Sequence, residues 1–181
     1  MQSSHLISGF TADQSTDLLE ALNDLNSIVW PQTPNSPKIE TATVEERPDR
    51  YIAAIEYKGK IVAEAESFSR TIAYKEGKME VQALANVCTH PDHRHKGYAS
   101  ILVKEIFKLV DNGRYPLSFW QTGVPDFYLA LGARLVGNRF INSLHPNTPE
   151  KNPFWDDYIM IYPKTTTRWP QGEIDTLGLG F

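Results

Sequence analysis

The feature that most restricts this chain is a change of hydrophobic period near residue 90. Before it, apolar residues run through three strand-like stretches, Tyr51 to Tyr57, Ile61 to Ala73 and Met79 to Thr89. The separators Lys58-Gly59-Lys60 and Lys75-Glu76-Gly77-Lys78 are short and contain glycine, which predicts an antiparallel meander. After it, Ala99, Leu102, Val103, Ile106, Phe107 and Val110 recur at steps of three and four. They lay one apolar stripe on a helix that Asn112-Gly113 ends. A meander that feeds such a helix through one loop predicts an α/β domain whose sheet and helix share a core.

The remaining elements extend that plan. Thr11-Ala12-Asp13-Gln14 has the pattern of a capping box, and Leu18, Leu22, Leu25 and Val29 follow at helical spacing until Trp30-Pro31. Residues 31–37 hold three prolines and read as a loop, and a short helix is expected over Ile39 to Glu46. Leu117 to Gln121 reads as a buried strand, and Pro125 to Leu131 as a short helix stopped by Gly132. Two further strands are expected over Arg134 to Ile141 and Tyr158 to Tyr162, while residues 163–181 show no period. No internal repeat or second domain is visible, so residues 1–181 are read as one domain.

Composition narrows the function classes. The 181 residues are 41% hydrophobic and 22% charged, with no apolar run long enough to span a bilayer. The start lacks the basic and apolar regions of a secretory signal, and the one cysteine, Cys88, allows no internal disulfide. A cytoplasmic, monomeric or homodimeric protein is the expectation. A net charge of −4 argues against a nucleic-acid binder with a broad basic face.

The chemistry concentrates where the third strand meets the helix, in Val87-Cys88-Thr89-His90-Pro91-Asp92-His93-Arg94-His95-Lys96-Gly97-Tyr98-Ala99. The first amides of a helix have no intrahelical acceptor and the helix dipole adds positive charge, so such a junction suits a pyrophosphate. Gly97 lets the backbone approach closely, and Arg94, His95 and Lys96 add positive charge. His90, His93 and His95 lie close enough in sequence to raise a metal site, but they match no established zinc-ligand spacing, so no metal is expected. Cys88 with His90 would form a nucleophile and base; a lone cysteine in an apolar strand reads instead as core.

The spacing Arg94-x-x-Gly97-x-Ala99 after a strand resembles the acetyl-CoA signature of the GCN5-related N-acetyltransferase (GNAT) family. The later Phe127-Tyr128-Leu129-Ala130-Leu131-Gly132-Ala133 is similar to that family's Phe-Tyr-x-x-x-Gly-Phe motif, with Ala133 in place of the aromatic. The likeness covers roughly residues 50–140. It implies a mixed, mostly antiparallel sheet flanked by helices and splayed at the acetyl-CoA site. It also implies transfer of an acetyl group from acetyl-CoA to a primary amine, by direct attack of the amine on the thioester. On that reading Val87, Cys88 and Thr89 pair with the pantetheine arm, and residues Arg94, His95, Lys96, Gly97, Tyr98, Ala99 and Ser100 hold the pyrophosphate. Tyr128 is then the general acid for the departing thiolate.

The base stays open. The strand before the signature, Glu80-Val81-Gln82-Ala83-Leu84-Ala85-Asn86, lacks the glutamate that histone-type members carry there, leaving Glu64, Glu66, Glu80 and His90 as candidates. A small-molecule amine is the expected acceptor, with Trp30, Trp120, Asp156 and Asp157 as candidate contacts through charge and cation–π attraction. The tail Trp169-Pro170-Gln171-Gly172-Glu173-Ile174-Asp175 resembles the C-terminal segment of aminoglycoside 2'-N-acetyltransferases. That likeness implies that the tail covers the acceptor pocket, with Glu173 and Asp175 binding the amine. The alternative is a catalytically silent acyl-CoA-binding or partner-binding module on the same fold.

Overall fold

The computed structural model describes residues 4–31 and 50–180. The loop expected from residue 32 onward and the helix expected over residues 39–46 lie outside them. The elements, in chain order, are β1 (His5–Phe10), α1 (Thr16–Val29), β2 (Tyr51–Tyr57), β3 (Lys60–Tyr74), β4 (Gly77–Thr89) and α2 (Tyr98–Asp111). There follow β5 (Ser118–Thr122), α3 (Pro125–Leu129), β6 (Arg134–Val136), β7 (Phe140–Ile141), β8 (Tyr158–Tyr162) and β9 (Ile174–Asp175). The hydrogen-bonded strand order is β1-β2-β3-β4-β5-β8-β6, with β9 paired to β3 and β7. The fold is thus mixed α/β with a mostly antiparallel sheet flanked by helices. Among the described residues no helix is long and apolar enough to cross a membrane.

The meander forms where the alternation and glycine turns placed it, but β1 carries no comparable sequence signal. Its six residues pair antiparallel with β2, from His5↔Glu56 to Phe10↔Tyr51. This pairing also undoes the capping box expected at Thr11. The Thr11 amide and hydroxyl both donate to the carbonyl of Arg50, at 2.8 and 3.2 Å, which ties residues Thr11–Asp13 into a 3-10 turn at the end of the ladder. The cap of α1 is Ser15, whose hydroxyl accepts from the Leu18 amide.

Contacts gather the chain into two compact units, through which β3, β4 and α2 each run. In the unit of Met1–Phe68 and Ala85–Ile106, Leu22 of α1 packs on Ile52 and Ala54 of β2, with Leu18, Leu19 and Ile61 around them. The register Ile52↔Glu66 and Ala54↔Glu64 puts both glutamates on that α1-facing side. The opposite face carries Ser8, Ala53 and Ala65, and the Ser8 hydroxyl donates to Glu105 of α2. Two helices therefore cover the two faces of one sheet.

In the unit of Ser69–Leu84 and Phe107–Phe181, Phe119, Phe140, Phe154, Trp169, Ile161 and Ile174 form one core cluster. Alternation along β5 turns Trp120 to the other face, against Phe107 and Tyr128. Among the described residues, the parallel pairing of β4 with β5 covers Gln82↔Ser118 and Ala83↔Phe119. Asn86, three residues beyond Ala83, has φ 49°, a left-handed step inside a strand.

The strand expected over residues 134–141 is broken into β6 and β7 at Gly137-Asn138-Arg139. Asn138 there donates to the carbonyls of Pro170 and Gly172 and accepts from the Trp169 indole. The tail without a period is therefore built in: Trp169 is buried, and β9 pairs with two other strands. Removing an aromatic of this size from a core typically costs about 3–5 kcal/mol. Trp169→Ala is expected to lose that much stability in urea unfolding, and a loss below about 1 kcal/mol would show that the tail is only loosely attached.

Candidate functional site

Three groups of residues carry chemistry, two in the first unit and one in the second. The first is the β4–α2 junction. Pro91–His93 forms a 3-10 turn capped by His90, whose Nδ1 accepts from the Asp92 amide at 3.2 Å. The chain then passes through His95 at φ 62° and Gly97 at φ 80° before α2 begins. Both residues are in the left-handed region, a conformation that glycine adopts freely and a histidine adopts at some cost.

Among the described residues, no acceptor takes the amides of residues 95–100; the first amide of α2 to be bonded is Ile101, to the Gly97 carbonyl at 3.2 Å. The loop from Arg94 to Gly97 is exposed, and Tyr98, Ala99 and Ser100 are half-buried. One part of the expectation changes. The Arg94 amide donates inward to the Pro91 carbonyl, and its Nε lies 3.4 Å from the Thr89 carbonyl, so the free amides begin at His95. The His90 and His93 rings meet edge to face, and among the described residues no group of three or more His, Cys, Asp or Glu could hold a metal ion.

The second group lies on the α1-facing side of β3 and β4. Glu64 is 4% exposed, and its carboxyl is pushed up to about 8, first by burial and then by the neighbouring charge of Glu66. A hydrogen bond from the Asn26 side chain and the charge of Arg50 oppose the shift without cancelling it. Glu66, also buried, accepts from Arg50 Nη1 and Asn86 Nδ2, both at 2.7 Å. Burial and the Glu64 charge hold the Cys88 thiol well above its ordinary range, which fits core packing and not a nucleophile. Of the other base candidates, Glu80 is exposed on β4 nine residues before Thr89, roughly 30 Å at about 3.3 Å per residue. His90 has one ring nitrogen engaged in its cap.

The third group is in the second unit. Tyr128 is 6% exposed, its ring packed on Trp120 with centroids 5.0 Å apart, and its phenol is held protonated by burial and by the charge of Asp156. Asp156 is half-buried and its carboxyl is raised, by burial first and then by Asp157. Gln121 sets this segment: its Oε1 accepts from the amides of Trp155 and Asp156, each at 2.9 Å. Beside Asp156, Trp155 is 72% exposed and Asp157 is exposed, while Trp30, in the first unit, is partly exposed.

Three acceptor candidates change character. Trp120 is enclosed between Phe107 and Tyr128, so it supports the tyrosine and presents no surface to a ligand. Glu173 is ion-paired with Arg139, which also binds Glu150. Asp175 accepts from the Ser143 and Leu177 amides; burial raises its carboxyl, but the Ser143 and Leu177 hydrogen bonds prevail and lower it. The two tail carboxylates therefore fasten the tail.

A family model described as an acetyltransferase (GNAT) domain matches residues 13–136. The chain belongs to the GNAT acetyltransferase family. Solved structures with the GNAT-type fold include Escherichia coli ElaA, at 14% identity and TM-score 0.63, covering 88% of this chain and 99% of that one. An acyl-CoA N-acyltransferase from Pseudomonas aeruginosa matches at 16% identity and TM-score 0.60, covering 88% and 97%. A GCN5-related N-acetyltransferase from Kribbella flavida matches at 14% and TM-score 0.57, covering 74% of this chain but 34% of that one. The chain thus spans about a third of that larger protein. No curated protein matches the sequence significantly. As a GNAT member the chain carries a fold for acyl transfer, a chemistry for which acetyl-CoA is the family's co-substrate.

Arg50, Asn26 and Asn86 are absent from the sequence-derived site. Only Asn86 left a trace, as a polar, strand-disfavouring residue inside an apolar run.

The buried Glu64 makes a stability prediction of its own. Its folded pKa, about 8, lies above the unfolded value of 4.5, so the unfolded chain releases this proton first as pH rises. The group stabilises the fold below about 4.5, and that contribution is lost progressively up to about 8, at up to about 1.4 kcal/mol per pH unit. Glu64→Gln should therefore raise Tm relative to the parent at pH 9 and leave it nearly unchanged at pH 4.5. Equal Tm differences at the two pH values would mean that Glu64 is not a buried, protonated carboxyl.

Proposed function

We propose that this protein transfers the acetyl group of acetyl-CoA to a primary amine of a small molecule, by direct attack of the amine on the thioester. The observation that carries the reading is the set of acceptor-free amides at residues 95–100, where an exposed loop leads from β4 into α2. A diphosphate supplies the oxygens such amides lack, and the helix terminus favours its charge. Gly97 permits the close approach, and His95 and Lys96 add positive charge around it. The edge of β4 from Val87 to Thr89, beyond the last β5 pair, suits the amide-bearing pantetheine arm.

Attack requires a neutral amine, whereas an alkylammonium with pKa about 10.4 is overwhelmingly protonated near pH 7. Glu64 is the carboxyl suited to accept that proton, since a group titrating near 8 is poised at working pH, and its burial calls for a water relay to the amine. Asp156, with Asp157 and the exposed Trp155 beside it, suits the anchoring of the cationic acceptor. As the nitrogen–carbon bond forms and the carbon–sulfur bond breaks, Tyr128 donates its phenolic proton to the departing sulfur and regains one from the nitrogen that has attacked. Glu64, ionised at the outset, has taken the ammonium proton and later passes it to water, so that free CoA and the amide result.

Two measurements test this. Calorimetric titration should show acetyl-CoA binding that Gly97→Val weakens at least tenfold, because a branched side chain is strained at φ 80° and would disturb the turn that leaves these amides without acceptors. Release of free thiol from acetyl-CoA, measured across alkylamines, polyamines and amino sugars, should show turnover that Tyr128→Phe lowers about a hundredfold with less than a twofold change in acetyl-CoA affinity. Absence of acetyl-CoA binding defeats the reading outright, and unchanged turnover in Tyr128→Phe removes the tyrosine from it.

A further inference from the structure

A buried ion pair is weak evidence for stability, because taking two charges from water costs about as much as their attraction returns. The pair of Arg50 and Glu66 is such a case, with side chains only 15% and 10% exposed. Its geometry points to another use. One Glu66 oxygen accepts from Arg50 Nη1 and the other from Asn86 Nδ2. Arg50 precedes β2, Glu66 is in β3 and Asn86 is the left-handed residue of β4, so one carboxylate ties three chain segments at the point where β4 changes direction. Arg50 is itself fixed: its carbonyl receives two bonds from Thr11, and its guanidinium stands 5.9 Å from the Phe68 ring centre.

We propose that Arg50, Glu66 and Asn86 are positioning residues, which hold the left-handed step of β4 and fix a charged carboxylate beside Glu64, so that Glu64 is the member of the pair that exchanges a proton. Two carboxylates two residues apart on one strand face do not ionise independently; the one with a cation and an amide donor takes the charge and the other keeps its proton. The surroundings agree. Glu64 meets Glu66 on its own strand, Asn26 from α1, Cys88 from β4 and the charge of Arg50, while the charge of Arg94 acts on Cys88. Only Arg50 among these neutralises a carboxylate, and its hydrogen bond goes to Glu66. The inference rests on the reading of Glu64 as the base.

The test is a carbon-13 NMR titration of glutamate carboxyls in the full chain from pH 5 to 10, with the Glu64 signal assigned from Glu64→Gln. Glu66→Gln removes the neighbouring negative charge, so the Glu64 midpoint should fall by at least one pH unit. Arg50→Met removes the cation, so it should rise by at least half a unit, which provides a second readout if Glu66→Gln does not fold. An unmoved midpoint in either folded variant overturns the coupling. Asn86→Gly keeps the left-handed backbone but cuts the link to Glu66, and acetyl-CoA affinity should drop at least fivefold; unchanged affinity overturns the part given to Asn86. Thiol release from acetyl-CoA with an accepted amine separates this inference from the function it rests on. If the NMR midpoints move as stated while the rate ignores them, the positioning stands and Glu64 is not the base.

Discussion

The structure turns on what happens to β4 after Ala83. Up to that residue the strand is paired with β5; three residues later Asn86 takes a left-handed conformation, and six residues later the strand ends in the loop that opens α2. A strand in mid-sheet normally has both edges bonded, because buried amides and carbonyls left without partners are costly. Among the described residues, the pairing of β4 with β5 is not continued beyond Ala83. The same segment delivers the chain to a helix start whose amides lack acceptors. The left-handed step and the helix start thus lie on one short stretch of chain, from Asn86 to Ser100.

Burial sets the protonation of Glu64 in the first unit and of Tyr128 in the second. Glu64 and Glu66 are equally carboxylates and share a strand face, yet one is enclosed with an amide and a thiol while the other receives a guanidinium. Tyr128 is sealed against Trp120 and keeps its proton. In each unit, then, solvent exclusion sets a protonation state that residue type leaves open.

Much of the plan was legible in the sequence because it rests on local signals. The meander, α2 and β5 follow from hydrophobic period and from glycine-bearing turns, and the succession of a strand, a basic loop and a helix around residues 94–100 was legible from the same signals. What was misread depends on distant partners. Thr11 looked like a helix cap until β2 supplied the Arg50 carbonyl, and β1 has no pattern that stands apart from its pairing. Glu173 and Asp175 looked available because Arg139 and the Ser143 amide are more than thirty residues away in the chain. Trp120 was read as an acceptor contact because the period of a fully buried strand does not say which side chains are enclosed.

The amino-acid sequence by itself determined the order of elements, the position of the loop and the residue types at the junction, since these follow from periodicity and turn chemistry over a few neighbours. Only the tertiary structure decided which of several carboxylates is enclosed, which is charged and which merely fastens the tail. Proton affinity depends on desolvation and on charges within a few ångströms, and those are properties of residues brought together from α1, β3, β4 and the position just before β2. No local pattern encodes that meeting.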